Sequence, residues 1–194
     1  TMFIMGWQVF LLLLTYAVTT LLYSFTIKKV AILDVIVLAS LYTLRIVLGA
    51  VAADVVLSEW LMVFSMFFFL SLSTAKRYVE IVRKPVGISD SIIGRGYYRE
   101  DASMVLNFGI GSGMIALFTF CVYLLDSAFP SGSYSSPVFL WITVIAISLW
   151  IMRIWLKACR KELDDDPVAF SIKDRISILL GCVSACGFAL AVIL

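Results

Sequence analysis

Charged side chains at positions 76–80 are spaced so that they could do chemistry together. The segment reads K-R-Y-V-E and follows an apolar stretch. On a helix, side chains three and four residues apart lie on one side, which places Lys76, Arg77 and Glu80 together. Two cations and a carboxylate in that arrangement could hold a diphosphate and its Mg²⁺. The same spacing also suits an ordinary charged helix end.

Arg45 is a single cation inside an apolar stretch that opens at Val30. A charge at such a depth costs on the order of 3 kcal/mol and normally faces a cavity, a partner or an anionic ligand. Asp34 precedes it by eleven residues, close to three helical turns, so the two share a face but lie roughly 16 Å apart, too far to pair. We therefore expect Arg45 to face the interior of the bundle. The alternatives are that it snorkels outward or meets Asp54.

Two further groups of residues could carry chemistry. Tyr23 and Lys28 follow the first apolar stretch, although an aromatic belt with snorkelling lysines is the plainer interpretation. The acids in 162–166 could bind Mg²⁺, but consecutive residues on a helix point in different directions. The Asp166-Pro167 pair instead predicts a helix stop and a new start, with the acids in a solvated turn.

Composition excludes other kinds of catalytic centre. The chain has no His, which excludes histidine-ligated zinc and Ser-His-Asp catalysis. Its four cysteines form no C-x-x-C pair. A glycine-rich string at 109–113 lies inside an apolar stretch without a G-K-[S/T] ending, so it predicts close helix packing rather than a phosphate loop.

The elements that must position these residues are membrane-spanning helices. Of the 194 residues, 62% are hydrophobic, against roughly 45 to 50% in soluble domains, and several runs reach the ~20 residues that span a bilayer. The sequence predicts an all-α, polytopic transmembrane helical bundle in a single domain, 1–194, with no nucleic-acid partner. The six predicted spans are 3–23, 31–53, 56–75, 103–125, 137–156 and 176–194.

The distribution of charge predicts the orientation in the bilayer. Lys and Arg concentrate in 24–30, 76–102 and 157–175, whereas the charged residues of 54–59 and 126–136 are all acids. By the positive-inside rule, the three basic segments are cytoplasmic, in a multi-pass protein of the cell inner (plasma) membrane. Both ends of the chain then face outward. Without a signal peptide, this orientation is easiest to understand if an odd number of spans precedes the chain.

Taken in order, several strings resemble the C-terminal two thirds of the UbiA superfamily of intramembrane prenyltransferases. The string at 23–34 resembles the segment after the family's fourth helix, and 44–49 resembles its next helix. The K-R-Y-x-E string at 76–80 is similar to a variant of the second aspartate-rich motif in the polyprenyl-phosphate phosphoribosyltransferases. The strings at 94–97 and 163–170 resemble the subgroup fused to a HAD-like phosphatase domain. The family's first motif, N-D-x-x-D, is absent from the chain.

The resemblance implies a nine-helix bundle of which this chain supplies six spans, with three spans upstream. It implies an Mg²⁺-dependent transferase acting on isoprenoid substrates with loss of pyrophosphate, and phosphoribosyl transfer to a polyprenyl phosphate is one form of that reaction. An intramembrane Arg would also suit the alternatives, a transporter or a non-catalytic assembly subunit. The residues implied are Tyr23, Lys28, Lys76 and Arg77 as catalytic groups, Arg45, Asp34 and Arg95 as substrate-binding groups, and Glu80 as the metal ligand.

We expect residues 1–194 alone to be inactive as a transferase. Release of pyrophosphate requires several groups to neutralise charge at once, and Mg²⁺ usually takes one or two protein carboxylates plus phosphate oxygens, which Glu80 alone does not supply. The measurement compares turnover by purified residues 1–194 and by the full-length protein, each in lipid with Mg²⁺, phosphoribosyl pyrophosphate and a polyprenyl phosphate. Comparable turnover would show that the N-D-x-x-D motif is dispensable.

Overall fold

The computed structural model describes residues 2–83, 95–130, 132, 134–163 and 166–194, with side chains from residue 6 onward. Over these residues the chain is all-helical, as predicted, and forms no strand. The described residues form seven α-helices. They are α1 (Met2–Phe25), α2 (Leu33–Ala52), α3 (Glu59–Arg83), α4 (Ala102–Tyr123), α5 (Leu140–Cys159), α6 (Pro167–Lys173) and α7 (Arg175–Ile193).

Five helical segments in the described part of the chain are long and apolar enough to cross a membrane, judged by length and composition. The remaining predicted span, 56–75, lies on α3, which has 25 residues but is more polar than the others. The last third of α3 is charged, so six spans remain a prediction. The five segments are Gly6–Lys29, Leu33–Ala52, Arg99–Ala128, Pro137–Cys159 and Arg175–Ile193.

The polar helix α3 lies at the centre of the described bundle. It packs along α2 on one side and α4 on the other, and it also contacts α5 and α6. The apolar core that joins α3, α4 and α5 includes Val79, Leu117, Ile154 and Trp155. Helix α5 packs mainly against α7, and α1 packs against α2. Because α3 touches most of the other helices, its side chains decide how they are arranged.

Close packing at the glycines of α4 confirms the prediction for 109–113. Ser71 of α3 donates its hydroxyl to the carbonyl oxygen of Gly109 at 2.8 Å, and the Trp155 indole of α5 donates to the Ser71 oxygen at 3.0 Å. A Cβ atom on Gly109 would lie 2.3 Å from the Trp155 ring. Three helices therefore meet at this glycine because it has no side chain.

The predicted helix start at Asp166-Pro167 is confirmed, whereas the preceding helix α5 already ends at Cys159. Asp166 precedes the first residue of α6, where its carboxylate accepts a hydrogen bond from the backbone N–H of Val168 at 2.9 Å. Pro167 occupies the first helical position, where the missing N–H costs nothing. The predicted positions Gly94, Asp164 and Asp165 lie outside the described residues.

Asp174 joins α5 to the start of α7. Its carboxylate accepts hydrogen bonds from Arg153 at 3.0 and 3.2 Å and from the backbone N–H and hydroxyl of Ser177, both at 2.9 Å. The hydrogen bonds from Arg153, followed by those from Ser177, lower the pKa of Asp174 to about 2. This ion pair therefore persists throughout the physiological pH range.

We expect Gly109→Ala to destabilise the protein and Gly111→Ala, its control on the same helix, to leave stability equal or higher. The added methyl at position 109 would overlap Trp155 and Thr74, and overpacking of this kind costs about 1–3 kcal/mol. Position 111 has open space within 4 Å of an added Cβ, so only the gain in helix propensity of up to about 1 kcal/mol applies. Thermal unfolding in detergent measures both. Equal midpoints for the two variants would contradict the packing described.

Candidate functional site

Charged residues converge where the last turns of α1 and α3 meet the first turn of α2. Arg77 lies at the centre and is 1% exposed. Its Nε donates to the carboxylate of Asp34, its Nη1 to Glu80 at 2.5 Å and its Nη2 to the Tyr23 hydroxyl at 3.1 Å. Each nitrogen of the guanidinium therefore has a protein partner, and Arg77 fastens three helices together.

Asp34 is completely buried and has a partner for each oxygen. One oxygen binds Arg77, and the other accepts the hydroxyl of Tyr97 at 2.8 Å. The same hydroxyl accepts a hydrogen bond from the backbone N–H of Ile32 at 2.8 Å. Ile32 has a φ of 69°, a left-handed conformation that is costly for a β-branched residue. Burial, together with the Asp34 carboxylate, raises the pKa of Tyr97, so the hydroxyl stays protonated as a donor.

Arg95 reaches the same place from the segment that precedes α4. Its Nη1 donates to the Tyr23 hydroxyl at 3.2 Å and lies 3.6 Å from Asp34, and its Nε lies 3.9 Å from Glu80. The next residue, Gly96, donates its N–H to the carbonyl oxygen of Lys29 at 3.0 Å. A Cβ there would lie 2.6 Å from that oxygen, so only glycine permits the approach that delivers Arg95.

We call the set Tyr23, Asp34, Arg77, Glu80 and Arg95 the charged cluster. Its two arginines and two carboxylates balance, which explains how charges can be buried there. The burial is uneven, because Arg77 and Asp34 are hidden while the side chains of Arg95 and Glu80 are 25% and 23% exposed. A ligand that approaches the cluster therefore meets Arg95 and Glu80 first.

Lys76 is separated from the charged cluster, contrary to the predicted trio with Arg77 and Glu80. Its Nζ forms an ion pair with Asp166 at 3.1 Å. Adjacent residues on a helix project about 100° apart, so Arg77 turns toward α2 while Lys76 turns toward the start of α6. The Asp166 carboxylate, itself capping α6, holds Lys76 there. Burial tends to raise the pKa of Asp166, but the hydrogen bond and charge of Lys76 lower it overall.

Lys28 lies in the turn between α1 and α2, beside the backbone on which Gly96 rests. It is half-buried and makes no ion pair within the described part of the chain. None of the described contacts joins its ammonium to the charged cluster, so the role of Lys28 stays a prediction.

Arg45 lies away from the charged cluster and is exposed, so it does not pack into the interior of the described helices as expected. Its Nε and Nη2 donate to the hydroxyl of Tyr16 at 3.0 and 2.6 Å. The guanidinium also lies over the rings of Tyr16 and Tyr42, 5.4 and 5.0 Å from their centres. Tyr16 of α1 can reach Arg45 because α1 and α2 pack against each other. The partner of Arg45 is therefore Tyr16 and not the alternative, Asp54.

The described residues contain no group of three or more His, Cys, Asp or Glu side chains placed to hold a metal ion. Asp34 is enclosed by Arg77 and Tyr97, which leaves Glu80 as the reachable carboxylate of the charged cluster. Mg²⁺ commonly binds through one or two carboxylates together with substrate phosphates and water. Glu80 fits such a site as one ligand, on the condition that phosphate oxygens supply others.

Sequence reasoning missed the aromatic partners of the cluster and of Arg45. Tyr97 appeared only within the string at 94–97, and Tyr16 in an apolar run. No spacing rule links Tyr97 to Asp34, which is 63 residues away. The available signal was the order Arg95-Gly96-Tyr97. It does not show where the Tyr97 side chain lies relative to Asp34.

No protein-family model matches the chain. It is 39% identical over 176 residues to protein y4nM of Sinorhizobium fredii, which covers 91% of this chain and 34% of that protein. It is 26% identical over 175 residues to nodulation protein NoeC of Azorhizobium caulinodans, covering 90% of this chain and 56% of NoeC. The chain therefore spans between about a third and about half of the length of these relatives.

A third similarity is local and concerns an enzyme. Over 66 residues, 34% of this chain, the sequence is 36% identical to decaprenyl-phosphate phosphoribosyltransferase of Mycolicibacterium smegmatis, of which that stretch is 21%. The Mycobacterium tuberculosis enzyme of the same name is 32% identical over 71 residues. This partial similarity to a transferase, together with the apolar helices, indicates a membrane protein related to transferases.

We expect Tyr97→Phe to lower stability by about 1–3 kcal/mol, because the buried Asp34 oxygen and the Ile32 N–H each lose a partner. The neighbouring Tyr98→Phe is the matched control, since the Tyr98 side chain is 53% exposed. Thermal unfolding in detergent, followed by circular dichroism, compares the two. A loss in Tyr98→Phe as large as in Tyr97→Phe would mean that the buried hydroxyl is not the cause.

Proposed function

We propose that this chain is part of a UbiA-type membrane transferase that takes a group from a diphosphate donor to an isoprenoid acceptor. The form of the reaction that we favour is phosphoribosyl transfer to a polyprenyl phosphate. The observation that supports it most is the charged cluster. Residues from three separate strings of the resemblance, far apart in the chain, meet in contact there.

The exposed side of the charged cluster suits a diphosphate leaving group. Arg95 presents a guanidinium whose described contacts are longer than those of Arg77, so its nitrogens are available to phosphate oxygens. We propose that Lys28, in the turn that precedes α2, adds a second positive charge. Cations aimed at a leaving group as its charge develops stabilise the transition state, and they are most effective in a site shielded from water.

Arg77 and Asp34 act in this proposal as positioning residues. The guanidinium of Arg77 holds Tyr23 and Glu80 in fixed places, and Asp34 holds Arg77. Tyr23 bonds both arginines through its hydroxyl, which sets the separation between the buried and the exposed guanidinium. Lys76 projects from the other side of α3, where its ion pair with Asp166 holds α6 against the bundle. It is therefore not one of the reacting residues in this proposal.

Mg²⁺ would supply neutralisation of the diphosphate charge in this reaction. Glu80 is the residue that would bind it, and its side chain is in turn oriented by Arg77 and Arg95.

We also propose that the basic helix ends face the cytoplasm of the cell inner membrane, by the positive-inside rule. In that orientation α3 forms a sixth span, and its buried serines and charged end are screened by α2 and α4. The nine-helix bundle stays a prediction.

The test uses the full-length protein, because residues 1–194 alone are expected to be inactive. It measures Mg²⁺-dependent formation of lipid-linked product from phosphoribosyl pyrophosphate and a polyprenyl phosphate in proteoliposomes. We expect Glu80→Gln and Arg95→Gln each to reduce turnover by about 100-fold or more, the usual cost of removing one charge-stabilising group. Glu162→Gln is the control, because Glu162 pairs with Lys157 away from the charged cluster.

Thermal unfolding of the same samples shows whether each variant is folded. Folded Glu80→Gln protein with unchanged turnover would remove Glu80 from the site. Turnover from prenyl diphosphates and an aromatic acceptor, with none from the phosphoribosyl donor, would keep a UbiA-type transferase but replace the favoured substrates. An absence of transfer with either pair of substrates would overturn the proposal.

A further inference from the structure

Two adjoining cavities form a groove between α3 and α7. Their volumes are about 230 and 470 Å³, and they share Phe68 and Trp150, so they make one continuous space. Helix α7 packs against α5 and α6, and the groove separates it from α3. We call this space the α3–α7 groove, and its walls include Phe64, Phe68 and Leu72 of α3, Trp150 of α5, and Ile178 and Leu180 of α7.

The α3–α7 groove lies on the opposite side of α3 from the charged cluster. Phe68 precedes Arg77 by nine residues, about two and a half helical turns, so the two side chains project in opposite directions. Among the described residues, those that line the two cavities include none of the charged cluster. A molecule bound in the groove is therefore separate from the reacting groups of the proposed function.

Aromatic rings in contact with one another form the floor of the groove. The ring of Phe68 stacks on those of Phe64 and Trp150, and in both pairs the ring centres are 5.4 Å apart. Ser177, a polar residue of the wall, donates its hydroxyl to the carboxylate of Asp174 at 2.9 Å, so this hydroxyl is used within the chain. Such walls favour contact with hydrocarbon over hydrogen bonding with a polar ligand.

The length of the groove matches the hydrocarbon region of one leaflet. A third cavity shares Phe64 and Ile147 with the groove and extends it to Leu61. From Leu61 to Leu72 the groove follows α3 for eleven residues, roughly 16 Å at the rise of an α-helix. Half of the hydrocarbon core of a bilayer is about 15 Å thick. The groove therefore fits one acyl chain of a single leaflet.

Two cations stand at the α6 end of the groove. Lys173 directly follows Ile172, which lines the groove, and Arg175 stands one turn before Ile178 on the same side of α7. Both cations are exposed, and neither forms an ion pair within the described part of the chain. The carboxylate of Asp174, between them, is already paired with an arginine of α5. The apolar groove is thus continuous with positive charge at a basic helix end.

We propose that the α3–α7 groove binds an anionic phospholipid, with one acyl chain in the groove and the phosphate at Lys173 and Arg175. Basic residues beside a space between membrane helices are typical of sites for anionic lipid head groups. The lipid fills the space between α3 and α7 and so holds α7 and α6 against the rest of the bundle. An isoprenoid substrate would instead bring its phosphate to the charged cluster, on the other side of α3. This inference does not depend on the proposed function.

Quenching of tryptophan fluorescence tests this site, because Trp150 forms part of its floor. The full-length protein is placed in phosphatidylcholine nanodiscs that contain a small fraction of either phosphatidylglycerol or phosphatidylcholine with brominated acyl chains. We expect brominated phosphatidylglycerol to quench more than brominated phosphatidylcholine at the same fraction, and we expect this excess to saturate. Trp150→Phe should remove the excess. Trp141→Phe, on the opposite side of α5, should retain it.

Charge variants test the head-group end of the site. Lys173→Gln and Arg175→Gln should each weaken the apparent affinity for phosphatidylglycerol roughly 5-fold, and the double variant roughly 25-fold. Lys29→Gln is the matched control, because it removes an exposed cation from the turn between α1 and α2, at a basic helix end away from α6 and α7. It should leave the affinity unchanged.

Gly181→Leu tests the acyl-chain end of the site. Gly181 lines the groove, and a Cβ atom there would meet nothing within 4 Å, so a leucine side chain can enter the groove without a clash. It should compete with the acyl chain and abolish the excess quenching. Gly49→Leu on α2 is the control, because its surroundings are equally open and it lies outside the groove. Thermal unfolding shows that each variant is folded.

Four results would overturn the inference. Equal quenching by the two brominated lipids would show no preference for an anionic lipid, and an absence of quenching at Trp150 would show that protein covers the groove. An equal loss of affinity in Lys29→Gln and Arg175→Gln would reduce the effect to general surface charge. Excess quenching that persists in folded Gly181→Leu protein would place the lipid elsewhere. Loss of the excess on addition of equimolar polyprenyl phosphate would make the isoprenoid, and not a phospholipid, the occupant.

Discussion

The buried guanidinium of Arg77 is the interaction on which the arrangement of the described helices depends. It is 1% exposed and binds Asp34 of α2, Glu80 of its own helix and Tyr23 of α1. A buried ion pair gives little net stability when it is complete, but loss of one partner typically costs about 3–5 kcal/mol, because the other charge stays buried. The Arg77–Asp34 pair therefore requires the three helix ends to meet in this way, because any other arrangement leaves a buried charge without a partner.

This condition extends to the connections between helices. One carboxylate oxygen of Asp34 binds Arg77, and the other accepts a hydrogen bond from the Tyr97 hydroxyl. The same hydroxyl accepts a hydrogen bond from the backbone N–H of the strained residue Ile32. Gly96 lets the segment before α4 lie directly on the turn after α1. The result is a polar assembly with one closed side and one open side. Arg95 and Glu80 form the open side, where the protein retains charge that a ligand can reach.

Helix α3 shows what such an assembly requires of a helix inside a bundle. A fully apolar helix would insert easily but would offer no donors or acceptors, whereas α3 combines serines, charges and a central position. Its Ser71 hydroxyl meets Trp155 and the backbone of Gly109, so those polar groups are satisfied between helices. The same neighbours that bury the polar groups also shield them from lipid. The polar groups of α3 can therefore stay inside the bundle only because neighbouring helices pack closely around them.

Local sequence patterns were enough to predict the helical class, the positions of most apolar helices, the close packing at the glycines of α4 and the helix start at Asp166-Pro167. These features follow from local rules, namely hydropathy over a window, helical periodicity and capping. Helical spacing also placed Arg77 and Glu80 on one side of a helix, since they are one turn apart. Three further contacts follow from helix packing alone: Lys76 pairs with Asp166, Tyr97 binds Asp34 and Arg45 lies against Tyr16. These partners are 29 to 90 residues apart in the chain. Helical spacing says which side of a helix a residue is on, but which neighbour stands there depends on how the helices pack.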